Sequence, residues 1–110
     1  MTVGTLCEML GASPLSMPCD REIKGVYIGD LLSWVMGKAQ SDNAWITIMS
    51  NINTVAVASL SDVACVILAE GVTLEGEVLT AANEKGVNVL SSELPAYEIA
   101  LKLADFLKNE

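Results

Sequence analysis

Val63-Ala64-Cys65-Val66-Ile67-Leu68-Ala69, held between Asp62 and the turn Glu70-Gly71-Val72-Thr73, is the stretch from which the architecture can be read. It is an apolar run stopped by small, polar and acidic residues, the signature of a strand running into a loop. The same succession recurs on both sides of it. Apolar runs end at Gly29-Asp30, at Ser50-Asn51-Ile52-Asn53 and at Ser91-Ser92-Glu93, and a helix-like segment follows each. Strand, loop and helix repeated in this way build a parallel sheet, with the loops gathered at the carboxyl ends of its strands. The expectation is an α/β fold: a single domain over residues 1–110 with a mostly parallel sheet of about four strands flanked by helices.

Working outward from that stretch, Ala64 to Ala69 is a strand that needs a crossover before it, so Asn53 to Leu60 reads as a short helix despite its Val-Ala alternation. Asn53 is the expected cap of that helix, and Ala44 to Met49 the strand that precedes it. Further upstream, Ile23 to Ile28 is the first strand, and Asp30 is the expected N-cap of a helix over Leu31 to Met36. Residues 1–19 are an N-terminal helix, Thr2 to Leu10 with Gly11 as its stop, followed by an extended connector. Pro14 and Pro18 keep that connector, Ser13 to Asp20, from being helical. Downstream, Glu75 to Lys85 is a helix ending at Gly86, and Val87 to Leu90 is a strand. Pro95 opens a last helix whose buried side is Ile99, Leu103, Phe106 and Leu107.

The charge balance excludes whole classes of partner. Six basic against fourteen acidic residues give a formal net charge of −8, so phosphate backbones and anionic lipid surfaces repel the chain. Neither nucleic acid nor membrane is an expected partner. The apolar run at Val63 is far short of the roughly 20 residues that cross a bilayer. Glu8 interrupts the apolar N-terminal residues, and no basic leader precedes them, so no secretory signal is expected and the location is read as cytoplasmic. Cys7, Cys19 and Cys65 are odd in number and widely spaced, which suits reduced thiols. A mean hydropathy of +0.46 is high for a small chain. Self-association relieves surplus apolar surface most simply, so a homodimer is expected, with Trp34 as the interface residue. Trp45 is expected in core or interface packing, and Met36, Met49 and Cys65 as core filler.

No set of residues supplies catalysis. The chain has no histidine, which removes the commonest general base and the commonest metal ligand. Three dispersed cysteines do not make a zinc site. Neither GxxxxGK[ST] nor GxGxxG occurs, so the glycine-rich cradles that bring backbone amides onto a phosphate are missing. No catalytic residue, no metal and no cofactor is expected. The loops after the strands nevertheless offer polar groups at helix starts: Asn51, Asn53, Glu70, Gly71, Ser91 and Ser92 are the candidate ligand-binding residues. Asn51 has two readings, a residue tolerant of a tight turn or a side-chain amide presented to a small ligand, and both stand.

Gly29-Asp30-Leu31-Leu32-Ser33, Trp45-Ile46-Thr47, Asn53-Thr54-Val55-Ala56-Val57-Ala58 and Ile67-Leu68-Ala69-Glu70-Gly71 together resemble the DRTGG domain family over about Asp20 to Leu103. The chain is also similar to small stand-alone members labelled as relatives of the serine kinase of the phosphocarrier protein HPr. The resemblance implies an α/β domain that elsewhere accompanies CBS domains in regulated pyrophosphatases and is associated with dimers. The Asp-Arg-Thr-Gly-Gly string itself is absent, and Leu68-Ala69-Glu70-Gly71 stands where Leu-Thr-Gly-Gly would be expected. Residues and resemblance lead to one expectation: a non-enzymatic regulatory or interaction module that dimerises and senses a small metabolite or nucleotide at the carboxyl edge of its sheet. The alternatives are an HPr-kinase-related phosphotransfer enzyme, or an accessory subunit of a larger redox or signalling complex. A small-molecule ligand and a partner enzyme accompany these readings.

Overall fold

The computed structural model describes residues 1–110. Its elements in chain order are α1 (Val3–Leu10), β1 (Ser13–Ser16), β2 (Gly25–Ile28), α2 (Leu32–Lys38), β3 (Asn43–Thr47), α3 (Ile52–Ser61), β4 (Cys65–Leu68), α4 (Gly76–Glu84), β5 (Val89–Ser91) and α5 (Ala96–Lys108). One five-stranded sheet runs in the order β1-β5-β4-β3-β2. The strands β2 to β5 are parallel, and β1 is antiparallel to β5. The α/β class and the mostly parallel sheet are as the sequence pattern indicates.

Alternation along the central strands divides the core in two, because successive side chains of a strand leave opposite faces. Cys65 and Ile67 of β4, with Ala44 and Ile46 of β3, meet Val3, Leu6 and Leu10 of α1 and Ile99 and Leu103 of α5. Val66 and Leu68, with Trp45, meet Val35 of α2, Val55 and Ala58 of α3 and Ala82 of α4. The sheet is thus the middle of three layers. Phe106 and Leu107 pack at the margin of the α1–α5 side, half-buried.

Five strands replace the expected four. Ser13 to Ser16, expected as extended connector, pairs with Val89 to Ser91, Ser13 opposite Ser91 and Pro14 opposite Leu90. Pro14 is tolerated because β1 is an edge strand, where a missing N–H removes no ladder bond on the open side. Four local expectations are also corrected. The first strand begins at Gly25, since the Ile23 N–H is already spent on the Met1 carbonyl at 2.8 Å. Asp30 does not cap α2, whose N-cap position is Leu31 without a side-chain bond. Asn51, not Asn53, caps α3. Met36 is 54% exposed rather than core filler, whereas Cys65 and Trp45 are fully buried.

The stops are local and were readable. Thr2 caps α1 and Gly11 ends it at φ 68°. Gly86 follows α4 at φ 72°, a left-handed turn that lets the chain reverse into β5.

Candidate functional site

The parallel strands set their carboxyl ends side by side, so the loops after β2, β3, β4 and β5 form one rim. Backbone geometry and buried polar pairs hold it in shape. After β4, Glu70 and Gly71 are both left-handed, at φ 58° and φ 75°. This double turn aims the Glu70 N–H at the Leu94 carbonyl (2.9 Å) and the Gly71 N–H at the Ser92 carbonyl (2.8 Å). A Cβ on Gly71 would come within 2.7 Å of Glu93 Oε2, so only glycine fits there without movement. The Ser91 hydroxyl donates to the Val72 carbonyl at 2.7 Å, and the Ser92 hydroxyl accepts from the Leu94 N–H at 3.1 Å. Glu70, Gly71, Ser91 and Ser92 therefore come together as one zipped pair of loops. Both serine side chains are buried and engaged.

Asn51 and Asn53 stand on the same rim but apart from that zipper. Asn51 Oδ1 accepts from the backbone N–H of Asn53 at 2.9 Å and of Thr54 at 3.2 Å, which satisfies two of the free donors at the start of α3. The Asn53 side chain is exposed one residue into the helix. Buried just behind the cap, the Thr54 hydroxyl has no hydrogen-bond partner.

Sequence reading missed the fastening between the first two loops. Asp30 Oδ1 accepts from the Thr47 hydroxyl at 2.7 Å and from the Ile48 N–H at 3.1 Å. Beside it, the Trp45 indole N–H donates to the Gly29 carbonyl at 2.8 Å. These bonds join residues 16 to 18 positions apart, a separation at which no local motif exists. The β2–β3 pairing creates the proximity. Trp34, the expected interface residue, is 58% exposed on α2, with Lys38 Nζ 4.3 Å from its ring centre.

Charge divides the two ends of the sheet. The rim loops carry Asp30, Glu70, Glu75 and Glu93 and no lysine or arginine. At the opposite end, Arg21 donates to Asp42 Oδ1 (2.6 Å), to Asp62 Oδ1 (3.0 Å) and to the carbonyls of Asp62 (3.0 Å) and Val63 (2.9 Å). Beside this clamp is an open depression of about 150 Å³ lined by Ser59, Asp62, Lys85 and Gly86 among others. The Ser41 hydroxyl, and after it the Arg21 guanidinium, hold the Asp62 carboxyl below its ordinary range. The depression adjoins the last turns of α3 and α4, whose free carbonyls favour cations. Arg21 supplies one from within, so the arrangement is that of a structural brace.

Chemically, the rim presents carboxylates, one free amide from Asn51, the Asn53 side chain and backbone groups. No three His, Cys, Asp or Glu side chains are grouped to hold a metal ion. No helix is long and apolar enough to cross a membrane.

Residues 5–106 match the family model described as the DRTGG domain. No curated protein sequence matches the chain. Among solved structures, the fold is similar to the CBS and DRTGG domains of the regulatory region of Clostridium perfringens pyrophosphatase, complexed with its activator diadenosine tetraphosphate. The TM-score is 0.70 at 11% identity, over 89% of this chain and 44% of that one. This chain thus spans less than half of that neighbour, and the likeness is one of fold.

Proposed function

Because this chain belongs to the DRTGG domain family, we propose that it is a non-enzymatic regulatory module that self-associates and senses a small metabolite on the carboxyl rim of its sheet. The observation that carries this reading is the rim itself: four loops meet there, braced by Asp30–Thr47 on one side and by the Glu70–Leu94 and Gly71–Ser92 zipper on the other. A braced rim keeps its remaining free groups, Asn51, Asn53 and Glu70, in fixed positions, and pre-organised polar groups are what selective binding of a small molecule requires. The absence of histidine and the engagement of both serine hydroxyls support a role without chemistry.

Electrostatics narrows the ligand. A polyphosphate brought to Asp30, Glu70 and Glu93 with no neighbouring cation is repelled. A neutral or cationic molecule rich in hydrogen-bond donors suits the rim, as does a nucleotide held by its base with its phosphates turned to solvent. The binding state is communicated to a partner enzyme through the surface of the self-associated form, with Trp34 at the contact.

Calorimetry and thermal shift against nucleosides, nucleotides, acyl phosphates and amine metabolites test the sensing role. A neutral or cationic compound is expected to raise Tm in the wild type and to lose that effect in Asn53→Ala. Silence across the panel removes the sensing role and leaves protein interaction alone.

A further inference from the structure

The two edges of the sheet are finished differently. At one edge, β1 carries Pro14 and breaks regular pairing between Pro14 and Ser16. Proline and a bulge are devices that keep a second chain from adding to a sheet. At the other edge, β2 reads Gly25-Val26-Tyr27-Ile28, in unbroken register with β3, without proline, charge or bulge. Val26 is 37% exposed and Ile28 51%. The Gly29 N–H donates to the Ile46 carbonyl of β3 at 3.2 Å. In a parallel ladder such groups alternate, so Tyr27 also faces β3, and Val26 and Ile28 turn their N–H and C=O groups outward from the sheet.

We propose that the β2 edge pairs antiparallel with the β2 edge of a second copy of this chain, joining two five-stranded sheets across a two-fold axis at Tyr27. This rests on the self-association proposed above and assigns its surface. Charge selects the occupant. Two copies carrying −8 each repel unless they meet on an uncharged strip, and Gly25 to Ile28 is such a strip. Lys24 precedes it and Asp30 follows it shortly after. A two-fold axis at Tyr27 therefore sets Lys24 of each copy opposite Asp30 of the other, and Val26 opposite Ile28. An isologous contact requires this self-complementarity, since each residue meets its own mirror partner.

Sedimentation equilibrium on the full chain tests this with Val26→Lys/Ile28→Lys, two exposed positions, and with Leu60→Lys, an exposed site on α3, as the control. The wild type and the control are expected to be dimers at high micromolar concentration, and the double variant a folded monomer by circular dichroism. A folded double variant that stays dimeric overturns the β2 edge while self-association stands. A wild type that is monomeric overturns both. If the double variant does not fold, amide exchange on the wild type decides. Val26 and Ile28 N–H protection that rises at least tenfold from low to high concentration supports the pairing, and protection independent of concentration rejects it.

Discussion

Arg21 and Asp62 are joined twice: one guanidinium nitrogen donates to the Asp62 carboxylate and the other to the Asp62 backbone carbonyl, each at 3.0 Å. The same guanidinium reaches Asp42 at 2.6 Å. Asp42 and Asp62 are both left-handed, at φ 65° and φ 56°, a conformation costly for residues other than glycine. One arginine thus fixes two strained turns at the amino end of the sheet, where β3 and β4 begin.

Removing that arginine leaves the Val63 carbonyl without its donor and the Asp62 carbonyl with the Asp42 N–H alone. Arg21→Ala is expected to lower stability by about 2 kcal/mol in urea denaturation. Arg21→Lys is expected to recover little, because an ammonium cannot fork to several acceptors as a planar guanidinium does. Full recovery by lysine would mean that charge alone matters.

The same cluster sets an acid limit. Its Ser41 hydroxyl, and then Arg21, lower the Asp62 pKa from the ordinary 3.8. The unfolded chain therefore takes up this proton at higher pH than the folded one does. The contribution is complete above about pH 4 and is lost as pH falls through the depressed folded value. Ser41→Ala is expected to move the acid unfolding midpoint upward, measured by circular dichroism. An unchanged midpoint counts against the hydroxyl as the main cause.

At the rim, both residues of the β4 turn are left-handed, and that explains why the family resemblance implies Gly-Gly where this chain has Glu70-Gly71. Glu70→Gly is expected to stabilise by about 0.5–1 kcal/mol through relief of strain. Gly71→Ala is expected to cost about 1–3 kcal/mol, since both φ and the Glu93 carboxylate oppose a Cβ. Part of that cost should vanish in the Glu93→Ala background, a coupling that a double-mutant cycle reads directly.

Thr47→Val and Asp30→Ala remove the two ends of one half-buried bond. Each is expected to cost about 1–2 kcal/mol, and together less than their sum. Strict additivity would show that Asp30 acts elsewhere. The unpartnered Thr54 hydroxyl carries the opposite expectation. Thr54→Val is expected to be neutral or to stabilise by up to about 1 kcal/mol, because no bond is lost and a buried polar group is removed.

Burial pushes the Cys65 thiol up to about 12 from its ordinary 9.0, with Cys7 nearby adding to the effect. Burial also raises Cys7. A thiol kept neutral in the folded state stabilises fully below its unfolded pKa, and that contribution is lost as pH rises from about 9 toward 12. A thiol reagent at pH 8 is expected to modify Cys19, which is exposed, promptly, and Cys7 and Cys65 only after denaturation. Three equally fast thiols would mean that the α1–α5 layer opens readily.

Periodicity, turns and helix stops in the sequence alone determined the parallel strands β2 to β5, the crossover helices and the gathering of four loops on one rim. These are local signals, complete within a dozen residues of chain, and the backbone obeys them wherever the segment lies. Tertiary structure alone decided the rest. Ser13 to Ser16 becomes a strand only because an edge beside β5 is open to it, and the Ser16 hydroxyl finds the Val87 carbonyl 71 residues away. Asp30 gives up a helix cap for Thr47, and Arg21 finds Asp42 and Asp62, because strand pairing brings distant residues within bonding distance. Such partners are chosen by where the sheet places them, and nothing in the spacing of the residues along the chain encodes that distance.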